Sequence, residues 1–586
     1  MSRLPRKKPL EPDSKDAQKR RKEMKEAQFE ARLHCLRPMV VGLAVAGLWS
    51  GSALAFQIET DNPDLEVRWD NQVRYNVGWR MNERDNTVGD TWTSQAGEYK
   101  FDKGDIVTNR IDLLSEFDFV FKKNYGFRVS GSAWYDDAYD SHVEGNPAYQ
   151  TAGLGTAYPN NRFTNDVKRY YTHSGELLDA FVFGRIDLGE SPLDVRFGRH
   201  NIYWGESLFT PIHGVSYSQG AVNFSKSLAT PGSEAKELFL PRNQLSALLR
   251  LNETFSFAGQ YAFEWQPFRL PEGGTYLGST DFLFSGGTRI SPFATTRFVG
   301  DLDSGRNAKP KDVGDWGLNA KANTDFGTFG VYYRKFDDKV PQFLRTTTGP
   351  TRFYSAYAKD VKLWGVSLSK EIGGGIALGS EIVRRENTVL NTVFGATDLA
   401  RGDTWHALVN AIAIINKTPL FDMASVSGEL TYSKLDKLRG NPANFKGVDH
   451  TCTNKVGAAG GTWRDGCSTD DAWGLQLSFA PTWFQVLPGL DLSMPMSYSR
   501  GLKGNSPVPF GGNEDTGSWS LGLSADYKAK YKFDISYIDY YGLVNPRATP
   551  AAFAVPGIGP TVVGSSNGNG PIRDRGWLSV TFKTTF

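Results

Sequence analysis

From Leu65 to Trp79 the chain alternates for fifteen residues. Leu65, Val67, Trp69, Val73, Tyr75, Val77 and Trp79 fall on one parity. Glu66, Arg68, Asp70, Gln72, Arg74, Asn76 and Arg80 fall on the other. Successive strand side chains point to opposite faces, so period 2 predicts one β-strand with an apolar and a polar side. Ordinary strands run about five or six residues. A strand this long, with one clean apolar face, has the reach of a tilted strand that crosses a bilayer.

The same signal recurs in pairs. "RIDLLSEFDFVF" turns through "KKNYG" into "FRVSGSAWY", "VKLWGVSLSKE" through "IGGG" into "IALGSEIVRR", and "WSLGLSADYK" through "AKY" into "KFDISYIDYY". Alternating runs joined by a few turn residues read as hairpins. One opening strand, eight hairpins and a closing strand give about 18 strands, within a range of 14–18. Longer connections separate the hairpins, among them 82–109, 137–176, 202–242, 266–314, 435–471 and 542–572. Short turns alternating with long loops is the layout of an outer-membrane barrel, turns in the periplasm and loops outside. The expected fold class is therefore all-β: a transmembrane antiparallel β-barrel in the outer membrane of a Gram-negative bacterium. A soluble sandwich or solenoid gives no reason for either the strand length or the loop asymmetry.

The chain closes on "GWLSVTFKTTF", with Leu578, Val580, Phe582 and Phe586 on one face. A barrel must pair its last strand with its first, because an open edge cannot sit in lipid. Bacterial barrels resemble one another in ending on such a strand with a terminal aromatic read by the barrel-assembly machinery. Phe586, with Phe582, is the expected assembly signal. That machinery and the lipid bilayer are the expected partners.

The totals agree with strands rather than helices in the membrane. Forty per cent apolar residues and a mean hydropathy of −0.40 exclude a helical membrane protein. The longest apolar run, Met39–Trp49, is about half of what a spanning helix needs. Residues 1–37 carry 12 Lys or Arg against 6 Asp or Glu, and Ala53-Leu54-Ala55 follows the apolar run. That order predicts a signal peptide over 1–55, cut after Ala55, and one barrel domain over 56–586. The mature part then holds 54 Lys and Arg against 58 Asp and Glu, a net charge of −4, so nothing points to nucleic acid. Cys452 and Cys467, 15 apart in an exported chain, predict a disulfide. His450 is the only metal-ligand type close to them, so no metal is expected. No nucleophile elbow, zinc motif or phosphate loop occurs, so the expectation is a non-enzyme without catalytic residues or cofactor. Trp69, Trp79, Trp134, Trp316, Trp364, Trp405, Trp473 and Trp519 fall near strand ends, where an interfacial girdle is expected.

Two features bear on the lumen. Strand one presents Arg68, Arg74 and Arg80 inward, and the next presents Asp112, Glu116 and Asp118. A cross-strand salt-bridge lattice that braces the wall is the favoured reading, ahead of an ion-selective pore. Loop 266–314 is apolar for a surface loop. Phe282, Leu283 and Phe284 are expected to fold into the mouth and line or cap the lumen, with Gly286-Gly287 making the reversal.

"DVRFGRHNIYWGESLF", Asp194 to Phe209, resembles a motif of a proteobacterial outer-membrane family. The family is that of domain of unknown function thirteen-zero-two, and "RYNVGWRM" resembles its opening strand. By that likeness Arg196, Arg199, Trp204 and Glu206 match the motif, and His200 stands in place of the usual Gln. Arg196 and His200 are expected to face the lumen. Trp204 and Glu206 are expected at the strand's outer end, in the girdle and paired with an Arg. The family is similar to FadL-type transporters. The resemblance implies a channel for hydrophobic small molecules (fatty acids, oxidised fatty acids, sterol-like lipids), with export ahead of uptake. It also implies a periplasmic lipid-carrier-like protein and an inner-membrane resistance-nodulation-division exporter as partners. The alternatives are a substrate-selective porin for polar or anionic solutes and a surface adhesin or structural barrel.

Overall fold

The computed structural model describes residues 56–586 apart from 92, 140–141, 285–286, 288, 290–296, 299–308, 348–351, 550–553 and 556–560. Ala55 with the expected signal segment, and Gly286, lie outside the described residues. The wall begins with β1 (Leu65–Arg80), β2 (Ile106–Phe121), β3 (Tyr125–Asp136), β4 (His173–Leu188), β5 (Ser191–His200) and β6 (Arg242–Arg250). It continues through β7 (Phe255–Ala262), β8 (Trp316–Thr324), β9 (Gly327–Phe336), β10 (Val361–Glu371), β11 (Ile376–Val389) and β12 (Arg401–Ile415). It ends with β13 (Met423–Gly440), β14 (Asp471–Leu487), β15 (Leu490–Ser493 and Met496–Lys503), β16 (Gly517–Tyr527), β17 (Tyr531–Ala548) and β18 (Trp577–Thr585). Each strand pairs antiparallel with the next. β18 returns to β1, with Arg80 opposite Trp577 and Gln72 opposite Thr585. The result is a closed barrel of 18 strands, which leaves no edge open to lipid. β15 is broken where Pro495 has no N–H to give the ladder; its carbonyl instead accepts the Gly522 N–H at 2.8 Å.

Alternation sorts the wall into two faces. On β12 Val409 is 56% exposed, while its neighbours Leu408 and Asn410 are buried. On β11 Ile382 is exposed between buried Glu381 and Val383. An apolar outside, a polar inside and short turns at one end make this an outer-membrane barrel. No helix among the described residues is long and apolar enough to cross a membrane. Trp69, Trp364, Trp405, Trp473 and Trp519 are exposed on the outer face. Trp134 departs from the expected girdle. It lies on the inward parity of β3 with Ser130 and Ser132, buried against the Arg110 guanidinium at 5.2 Å.

Inside, the charge ladders meet as lattice and as anchor. Arg74 lies opposite Asp112 in register and pairs with it at 3.4 Å. Arg68 lies opposite Asp118, but Asp118 takes Arg128 of β3 through two hydrogen bonds of 2.7 Å, and Arg68 turns to Glu66 at 3.0 Å. Glu116 pairs with Lys236, which belongs to no barrel strand. Part of the ladder therefore holds something other than its neighbouring strand.

Several strands run further outward than alternation alone suggests. β2 begins at Ile106 rather than Arg110, and β13 reaches Gly440. β17 extends to Ala548, where its end pairs with a short strand, Thr561–Gly568. Loop residues supply partners beyond the membrane, so the backbone has no reason to stop at the interface. Loops 82–105, 137–172 and 263–284 pack around a buried core that includes Phe101, Tyr139, Tyr158, Phe163, Tyr276 and Phe282. Burial of such a side chain is worth about 1.5–3 kcal/mol, enough to fold these loops onto one another. Leu283 packs on the same core, Phe282 meets Phe394 at 5.9 Å, and Phe284 meets Phe343 at 5.3 Å. Cys452 and Cys467 are joined by a disulfide within loop 441–470.

The cap is tied to the barrel seam by charge. The Glu98 carboxylate is fully buried between Arg80, at 2.9 Å, and Arg575, at 2.7 Å. Arg80 also meets Asp574 at 2.9 Å. Burial by itself raises the Glu98 carboxyl, but Arg575 and Arg80 outweigh it and hold it below its ordinary value. Burial, together with the Glu98 charge, pushes Asp574 up to about 6.

Candidate transport path

The connection from β5 to β6, residues 201–241, does not stand outside as a long loop should. It enters the lumen, and two wall carboxylates hold it there. Glu381 of β11 accepts the N–H groups of Glu206, Ser207 at 3.0 Å and Val215 at 2.5 Å. Glu429 of β13 accepts those of Leu208 at 2.6 Å, Phe209 at 3.3 Å and Thr210 at 2.7 Å, and the Thr210 hydroxyl as well. Both side chains are buried, and their partners are N–H and O–H groups rather than cations. "WGESLFTP" permits this approach because Gly205 has φ +95°, and a Cβ there would fall 2.3 Å from a Glu381 oxygen. The middle of the segment is tied by Tyr217, whose hydroxyl donates to Asp338 at 2.6 Å, and by Arg334, which donates to the carbonyls of Val215 and Tyr217. Its far part is held by the ladder of β1 and β2. Glu237 takes Arg74 at 2.7 Å and Lys226 at 2.8 Å, and Glu234 pairs with Lys583 of β18.

Among the described residues, three connected spaces run along the segment. The first opens at the short-turn end, beside the Lys123-Asn124 turn. Lys123, Arg185, Arg196, Arg250 and Lys321 line it, against one carboxylate, Asp194. Arg185 and Arg250 share Asp194 at 2.8 and 2.6 Å, and Lys321 lies 3.8 Å from Glu206. The second space, a middle chamber, shares Arg196, Asn201, Ile202 and Tyr203 with the first. Its walls add Phe181, Leu208, Ile212, Phe239 and Phe268, with the paired ions Arg128 and Lys236 and the carboxylate Asp179. The third, about 2150 Å³ including its open mouth, faces the long loops and meets the middle chamber at Pro211 and Ile212. Lys446 and Arg500 are its only charged lining residues among those described.

Arg196 is the common wall of the first two spaces. Its guanidinium sits 5.7 Å from the Phe181 ring centre, exposed to the lumen, and forms no ion pair with the described residues. His200 lines the middle chamber, with one ring nitrogen 2.8 Å from the Ser246 hydroxyl and the other 3.0 Å from the Gly198 carbonyl. Trp204 is not in the girdle. It is buried inside the barrel near Tyr332, and its N–H donates to Gln219 at 2.8 Å. Arg196, His200, Trp204 and Glu206 thus lie on or against the inward segment, whereas Arg199, on the other parity of β5, pairs with Glu264 at 2.8 Å. Phe282 and Leu283 belong to the loop core instead, Phe284 packs on Phe343 of the outer space, and from their loop Leu277 and Ser279 line that space too. Sequence reasoning missed Glu381 and Glu429. Their inward parity in "GSEIVRR" and "SGELTYS" was visible, but their partners were not.

A family model described as "Protein of unknown function (DUF1302)" matches residues 36–586. No curated protein matches the chain. Among solved structures it is similar to Acinetobacter baumannii OccAB1, at 12% identity over 91% of this chain and 99% of that one, with a TM-score of 0.39. It is similar to Pseudomonas aeruginosa OccK2 (OpdF) in complex with glucuronate, at 10% identity over 89% and 97%, with a TM-score of 0.37. The outer membrane channel DcaP of Acinetobacter baumannii matches at 10% identity over 91% and 100%, with a TM-score of 0.35.

Proposed function

The chain belongs to the family described as protein of unknown function (DUF1302), and we propose that it is an outer-membrane channel selective for small organic anions. One observation carries this reading. Along the three spaces nine Lys or Arg side chains line the route against two carboxylates, Asp194 and Asp179. A narrow passage lined by one sign of charge between low-dielectric walls concentrates the opposite ion. Arg196, without an ion pair among the described residues and at the junction of two spaces, is the natural halt for a carboxylate or sulfonate. A wholly apolar cargo would strip water from these cations and give nothing back. The apolar side of the middle chamber suits an anion that carries an apolar body, which keeps part of the hydrophobic-cargo expectation. On the family resemblance, the turn-end vestibule would face a periplasmic lipid-carrier-like protein and a resistance-nodulation-division exporter.

Efflux from proteoliposomes tests the charge preference with solutes of like size. Gluconate should leave faster than glucose, and glucose faster than glucosamine. Arg196→Ala should narrow the gluconate-to-glucose ratio several-fold while leaving glucose efflux close to wild type. Glucosamine leaving as fast as gluconate would overturn the proposal.

A further inference from the structure

We propose that the outer vestibule contains a second binding site, built from Phe510, Phe224 and Lys446, that captures organic anions bearing a flat ring at the cell surface. This rests on the anion-channel reading and adds to it a second stop at the outer end of the route.

The turn Val508-Pro509-Phe510-Gly511 closes with the Gly511 N–H donating to the Val508 carbonyl at 3.3 Å. Proline stands second, and Phe510 stands third with φ +60°. A positive φ at the third position is the place of Gly or Asn in such a turn, and a bulky side chain there is a steric outlier. Gly511 and Gly512 come next, yet the left-handed third position holds an aromatic ring. Surrounding bonds fix the turn in that shape. His213 lies 2.9 Å from the Gly511 carbonyl, and the N–H of Ser506 reaches Gly512 at 2.9 Å. Strained residues persist only where their surroundings over-determine them, and they cluster at ligand clamps.

The ring that this backbone presents is 53% exposed, whereas Val508, two residues earlier, is buried. It lies parallel to Phe224 of the inward segment, with centroids 6.3 Å apart and planes 13° apart. Phe209 and Phe343 continue the apolar wall of the same space. Lys446 lines the same space and forms no ion pair with the described residues, while Arg500 is matched by Asp515 at 2.7 Å. An exposed aromatic face in one space with an ammonium that has no ion pair among the described residues, and with no carboxylate in the described lining, suits a ring-bearing anion over a cation.

Benzoate and acetate are the probes, added from the loop side to channels conducting KCl in planar bilayers. Benzoate should reduce the current at concentrations lower than acetate by roughly a factor of ten, the scale of one ring-stacking contact. Phe510→Asn removes the ring while suiting the left-handed backbone, and should bring the two probes together. Its KCl conductance and chloride preference should match wild type. Lys446→Gln should weaken both probes alike. If wild-type channels prefer chloride and Phe510→Asn keeps the benzoate advantage, this site is wrong and the anion reading stands. If wild-type channels show no preference for chloride, the anion reading fails first.

Discussion

Replacing Glu381 and Glu429 together by alanine should open the lumen. Single-channel conductance should rise several-fold, with the heat-modifiable mobility of a folded barrel retained. The two carboxylates take the N–H groups of Glu206, Ser207, Val215, Leu208, Phe209 and Thr210. A hydrogen bond to a charged group contributes about 1.5–3 kcal/mol, and a buried N–H left without its acceptor costs about 1–3 kcal/mol. Losing six at once exceeds what the inward position can absorb, so water enters and the segment of residues 206–215 leaves its place. The wall keeps its own ladder through β11, β12 and β13, since those pairings use backbone groups alone. Glutamine at both positions should give an intermediate rise, because the amide oxygen still accepts but carries no charge. Unchanged conductance in the alanine pair would place the constriction elsewhere, at the Arg74–Glu237 end of the segment.

The second large effect concerns the cap. Glu98→Ala leaves the Arg80 and Arg575 guanidiniums buried without the carboxylate between them. Breaking a buried pair from one side costs about 3–5 kcal/mol. The loss should appear as lower amide protection across Gln95–Tyr99 and faster proteolysis of loop 82–105, while the barrel itself stays folded. Acid should do the same to the wild type only at the second of two stages. Asp574 titrates near 6, and because its folded value is raised, gaining that proton tightens the cap. Glu98 has a lowered value, so its contribution is present above the ordinary carboxylate range and is lost as pH falls through the lowered one. Protection should therefore hold from neutral to mildly acidic solution and collapse only in strong acid. A cap that loosens between neutral and mildly acidic pH would contradict the Arg80–Glu98–Arg575 arrangement.

The wall was legible in the sequence because strand alternation is local. Arg74 and Asp112 could be placed on facing parities from "RYNVGWRM" and "RIDLL" alone, and they meet. The inward segment was not legible, because what holds it is remote. Glu206 reaches Glu381 across 175 residues and Leu208 reaches Glu429 across 221. Composition pointed instead to loop 266–314, the greasier of the two. Burial took Phe282 and Leu283 of that loop into a core with Tyr139, Tyr158 and Phe163 of neighbouring loops, and left Phe268, Leu277 and Ser279 to line the lumen spaces. Trp134 shows the same limit on a smaller scale. Its position near a strand end suggested the girdle, but parity sends it inward, where Arg110 covers the ring. The motif around Arg196 to Glu206 marked the right place through family likeness. The cation-rich lining of the route emerged only when Lys123, Arg250 and Lys321, from separate hairpins, came to one vestibule.

The most direct measurement is the zero-current potential of the purified protein in a planar bilayer under a KCl gradient. A route whose three spaces are lined, among the described residues, by nine cations and two carboxylates predicts a potential whose sign reports chloride as the favoured ion. Arg196→Glu should move it toward zero. A potential at zero, or of the sign that potassium preference gives, would contradict the account.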